Sequence, residues 1–164
     1  MAIMVGAAAA TVIIVYSNPV STTAVSPELY LQDGPNYASA NTLGLFTATQ
    51  TGSPANVLTG TTITVNTVTG SVNVYLLNVL DIYNASALTT HVYVYINGTL
   101  PTGVSMYYSS TAITFNGNAV TGTLWVTGTQ IPLKGGAAAD LYLAFVLTGA
   151  ATGTGTLGFQ YLVT

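Results

Sequence analysis

From Leu29 to Thr164 the chain is built of short runs of β-branched and aromatic residues, each stopped by Gly, Asn, Pro or Ser. No stretch repeats its apolar residues at a helical period. That pattern leaves little room for anything but an all-β body. The clearest strands are expected at residues 42–49, 61–68, 71–80, 91–96, 104–108, 112–115, 122–126, 140–147 and 156–163. Strands this short and this regularly spaced point to a β-sandwich. Asn and Gly tolerate the positive φ of tight turns, so hairpins are expected at Gly70 and Gly117, with a further turn at Asn97-Gly98.

Two of these strands are apolar on both faces. Leu141, Leu143, Phe145 and Leu147 alternate with Tyr142, Ala144 and Val146, while Val72, Val74, Leu76 and Asn78 alternate with Tyr75, Leu77 and Val79. One face belongs to the sandwich core. The other needs a second cover, and a neighbouring subunit is the expected one, because the composition offers almost no charge to keep monomers apart. Lys plus Arg number 1, Asp plus Glu number 4, and charged residues make up 3% of the chain. A typical soluble domain has roughly 25%.

The same scarcity excludes several functions. Lys134 alone cannot displace the counterions of a nucleic acid. The carboxylates Glu28, Asp33, Asp81 and Asp140 are scattered along the chain, with no two spaced as an acid/base pair. His91 lies in an alternating run, no Gly-x-Ser-x-Gly elbow is present, and Lys134-Gly135-Gly136 lacks the rest of a phosphate loop. With no cysteine and one histidine, neither a disulfide nor an imidazole metal cage is available. No catalytic residue, metal site or cofactor is therefore expected. The tyrosines at 75, 83, 93, 95, 107, 108 and 142 are expected in cross-strand pairs or subunit contacts, with a sugar-stacking platform as the alternative. Asn84-Ala85-Ser86 and Asn97-Gly98-Thr99 are N-glycosylation sequons expected in loops, which makes Asn84 and Asn97 candidate glycan sites.

The N-terminal segment, residues 1–16, is apolar throughout and is joined to the body by a linker, residues 17–28, rich in Ser, Thr, Val and Pro. It is shorter than the ~20 residues that span a bilayer. It lacks the basic start of a secretory signal peptide and so reads as the beginning of a mature chain. Gly6 to Ala10 are small, and the run 11–16 is β-branched and aromatic. The expected fate of the segment is a strand inserted into a neighbouring subunit, with Ile3, Val5, Val12, Ile13, Ile14, Val15 and Tyr16 as the residues buried there. Repeated head to tail, this exchange generates an open-ended homopolymer.

The run Asn78-Val79-Leu80-Asp81-Ile82-Tyr83-Asn84 followed by His91-Val92-Tyr93-Val94-Tyr95-Ile96 resembles the core of TasA-type biofilm matrix proteins. Residues 131–143 and the strand 156–163 are similar to that family's closing hairpin. The near absence of charge departs from the bacterial members and is closest to the archaeal bundling-pilus subunits. The resemblance implies a jelly-roll-like sandwich at residues 29–164, donor-strand exchange, and extracellular filaments that bundle in biofilms and adhesion. Two alternatives follow from the same residues. One is an archaeal type IV pilin with a helical N-terminus, against which Pro19 stands, and the other is a monomeric carbohydrate-binding module.

Overall fold

The computed structural model describes residues 29–50, 61–66, 72–84, 92–133, 141–149 and 151–163. They form ten strands and one short helix: β1 Leu29–Asp33, α1 Tyr37–Thr42, β2 Phe46–Gln50, β3 Thr61–Val65, β4 Val74–Asn84, β5 Val92–Thr99, β6 Val104–Ser109, β7 Thr123–Leu124, β8 Gln130–Pro132, β9 Leu141–Leu147 and β10 Gly153–Val163. The strands pair antiparallel into two five-stranded sheets, β1-β4-β9-β6-β7 and β2-β3-β10-β5-β8. Strands β3, β4, β5 and β6 alternate between the sheets, so the chain winds around the core. Its inner residues are those the two-residue period selects, with Phe145 of the first sheet against Phe46 of the second at 5.1 Å between ring centroids. Among the described residues no helix is long and apolar enough to cross a membrane.

Several local expectations are corrected. The strand expected at 42–49 starts only at Phe46, because residues 37–42 form α1. Ala40 is buried, and Tyr37 meets Phe46 edge-on at 6.0 Å, so the helix has an apolar face too short to show a period. The hairpin expected at Gly70 lies outside the described residues, and the strands on either side of it, β3 and β4, belong to different sheets. The Asn97-Gly98 turn is instead mid-strand: both residues pair with β10, and Gly98 at φ 127 lies so close to the Thr156 carbonyl that a side chain would collide with it. Strands β1 and β8 were not expected at all, and 122–126 shrinks to the two residues of β7. The turn at Gly117 is present, closed by the Asn116 N–H donating to the Ala119 carbonyl at 3.1 Å.

The second cover on β9 comes from the chain itself. Tyr75 lies opposite Val146 on the outer face of the first sheet, and the ring of Phe115 stacks on Tyr75 at 4.4 Å. Beside it, Asn78 exchanges two hydrogen bonds with the backbone of Ile113: Nδ2 donates to its carbonyl at 2.9 Å and Oδ1 accepts from its N–H at 2.8 Å. Ile113, Ala144 and Val146 are buried. Asn78 takes φ 52, the left-handed conformation Asn tolerates, and the β4–β9 register slips there, between Leu76 and Leu80. The simple alternation expected along 71–80 therefore ends at a bulge.

Candidate functional site

The long strand β4 is paired unequally on its two sides. Toward β9 it is paired at both ends, whereas toward the sheet edge β1 covers only Leu80 to Asn84. Past the end of β1, the loop at 34–36 lies against β4: the Gly34 N–H donates to the Val79 carbonyl at 2.9 Å, the Asn36 N–H to Asn78 at 3.2 Å, and Asn36 Nδ2 to Leu77 at 2.8 Å. Gly34 is required for this approach, because a Cβ there would overlap the Asn78 carbonyl. Helix α1 then leads away to β2. Along Val74 to Leu76, no strand among the described residues adjoins this edge of β4.

Between that edge and α1 lies an open groove of about 280 Å³, lined chiefly by Ala40, Leu43, Leu45, Val74, Leu76 and Leu77. At its rim Leu43 is 72% exposed, and Val72, just before β4, is 51% exposed. An unpaired strand edge offers backbone N–H and C=O groups to another extended segment, and apolar walls beside it accept that segment's side chains. The arrangement is suited to binding an apolar strand.

The residues singled out from the sequence are dispersed. Ile3, Val5, Val12, Ile13, Ile14, Val15 and Tyr16 lie outside the described residues, as do Glu28, His91, Lys134 and Asp140. Asn84, expected in a loop, is the last residue of β4 and is fully buried opposite Leu29. Asn97 is half-buried in β5, its side chain lying over Gly158, where a Cβ would collide with it. The tyrosines divide between opposite faces. Tyr93 and Tyr95 flank the inward Val94 on the second sheet, whereas Tyr75 and Tyr107 stand on the outer face of the first, opposite Val146 and Ala144. They form no single stacking platform.

Asp81 is one of the four carboxylates scattered along the chain. In β4 it is 5% exposed, its Oδ1 has no hydrogen-bond partner among the described residues, and burial pushes its pKa up to about 6. Burial also raises the pKa of Asp33. Among the described residues no three His, Cys, Asp or Glu side chains gather as a metal site would require. No protein-family model matches the chain, and no curated protein or solved structure matches it.

Proposed function

We propose that the chain is a non-enzymatic structural subunit of an extracellular filament, in which residues 3–16 of one copy complete the open edge of the next. The observation that carries this reading is the apolar groove beside the part of β4 that no strand adjoins among the described residues, on a chain with a separate apolar, β-prone segment. The dimensions agree. The run 11–16 is about 20 Å long when extended, long enough to lie along Val74 to Leu76 and the residues just before them. The chain enters the sheet at Leu29, opposite Asn84, at the end of β4 remote from the groove. The described chain thus begins at one end of the body while the groove lies toward the other, a polarity that favours head-to-tail addition.

The strand order supports the jelly-roll reading of the body. Strands β4-β9-β6-β7 and β3-β10-β5-β8 follow the order that two Greek keys wound together produce, with β1 and β2 as added edge strands. Neither a cofactor nor a nucleic acid has a part in this function. Backbone pairing and apolar burial supply the assembly energy, so the low charge is no handicap.

Electron microscopy of the full chain and of Ile13→Asp and Ile14→Asp tests the reading. Wild type is expected to form filaments and each variant to lose them, because an unpaired carboxylate would be buried at the joint. Unchanged filaments from both variants would overturn it. A reconstruction showing residues 3–16 as a central helix would make the chain a pilin of the type IV kind. A glycan-binding monomer would be indicated by the absence of filaments altogether.

A further inference from the structure

The motif Thr-x-Thr occurs in three strands that turn out to be neighbours: Thr47-Ala48-Thr49 in β2, Thr62-Ile63-Thr64 in β3 and Thr154-Gly155-Thr156 in β10. Their registers align them. Thr47, Thr64 and Thr154 form one row across the sheet, and Thr49, Thr62, Thr156 and Thr99 form a second. The intervening Ile63 is fully buried and Ala48 packs on the core, so the threonines point outward. Thr47, Thr49, Thr99, Thr154 and Thr156 are exposed, and Thr62 and Thr64 half-buried. The face is also free of charge: none of the five strands of the second sheet contains Asp, Glu, Lys, Arg or His.

We infer that this threonine face is a lateral self-association surface, which pairs with the same face of a second copy. Each hydroxyl is both donor and acceptor, and each methyl is apolar, so the face is chemically complementary to itself and two copies meet without like-charge repulsion. Geometry selects the occupant. Neighbouring strands in a sheet are rotated by roughly 20° to 25°, so the rows suit a surface of the same twist better than the flat lattice of a crystalline polysaccharide or of ice. A second copy carries the same twist, and two twisted sheets pack face to face at about 30°. The pairing is isologous, unlike the head-to-tail contact at β4, and leaves that edge unused. As a route to filament bundles the inference rests on the filament reading; as a contact between two copies it stands without it.

The test is a charge exchange in the full chain. Thr47→Lys with Thr154→Lys, and Thr47→Glu with Thr154→Glu, place like charges on two exposed positions of one row, and thermal melts confirm that both variants fold. Sedimentation and light scattering at low salt are expected to show self-association weakened at least tenfold in each variant alone and restored on mixing the two. Micrographs are expected to show the variants' filaments lying singly. Variants that associate like wild type, or a mixture that stays apart, would overturn the inference. So would variants that still self-associate but no longer co-sediment with insoluble chitin, which would assign the face to a glycan. If no sample forms filaments the proposed function fails, while sedimentation of the unpolymerised chain still decides the face.

Discussion

The outer faces of the two sheets are built from the same uncharged alphabet and end in opposite conditions. On the first sheet, Ala144 and Val146 are buried, and the chain's own excursion lays Phe115 on Tyr75 and is fastened at Ile113 by the two hydrogen bonds of Asn78. On the second, the threonine rows carry no roof among the described residues and remain largely exposed. A face of Ala and Val must be covered, and here a local segment reaches it. Threonine hydroxyls can stay in water or pair with their like, which is why the second sheet is the face proposed for contacts between copies. Substitutions on the first face should therefore change stability, and those on the second should change association.

The largest effect is expected at the fastening. Asn78→Ala removes both bonds to Ile113, strands a buried N–H and C=O, and places alanine at a positive φ; a loss of about 3 kcal/mol is expected in denaturant unfolding. Asn78→Gly keeps the backbone conformation and should lose about 2 kcal/mol, which separates the bonds from the strain. If neither variant is destabilised, the roof is not held as described.

Asp81 comes next, with the opposite sign. Its pKa is raised from 3.8 to about 6, so the folded state disfavours the carboxylate. Its contribution to stability is intact below about pH 4 and is lost as pH rises through 6. Asp81→Asn should match wild type near pH 3.5 and exceed it by on the order of 2 kcal/mol at pH 7.5, in urea titrations at both values. Asp33, shifted the same way, leaves a smaller slope in the variant. A variant less stable than wild type at pH 7.5 would mean that the carboxylate is well solvated.

Phe115→Ala should cost about 1 kcal/mol, since the ring is 41% exposed and contributes mainly its stacking on Tyr75. At the bottom of the scale, Thr154→Ala should move the unfolding midpoint by less than about 0.5 kcal/mol. Loss of lateral association without loss of stability at Thr154, set beside the reverse at Asn78, would establish the contrast between the faces. A large loss of stability at Thr154 would break it.

Much of the body was legible because strand alternation is local. Residues 104–108, 140–147 and 156–163 became β6, β9 and β10 with shifts of a few residues, and Gly117 forms its turn. The failures have physical causes. The helix α1 is too short for its period to register, and Gly98 serves a close contact with Thr156 inside a strand although its neighbour makes it read as a turn. The candidate site was less legible. The proposed donor residues rest on composition alone, while nothing local marks residues 74–76 as an edge, because that depends on where β1 stops. The threonine rows were hidden for a related reason: three Thr-x-Thr motifs far apart in the chain mean nothing until the strand order makes them adjacent.

The amino-acid sequence by itself determined that this chain is an all-β body, nearly without charge, preceded by an apolar segment that water does not suit. Period, turn residues and composition are properties of neighbouring residues and need no partner to be read. Only the tertiary structure decided which apolar face the chain covers for itself, that Asp81 is buried and Asn78 a fastening, and that among the described residues no strand adjoins the edge of β4 beside Leu43. Those outcomes depend on pairings between residues dozens of positions apart, such as Asn78 with Ile113 and Asp33 with Leu80, and no local pattern encodes them.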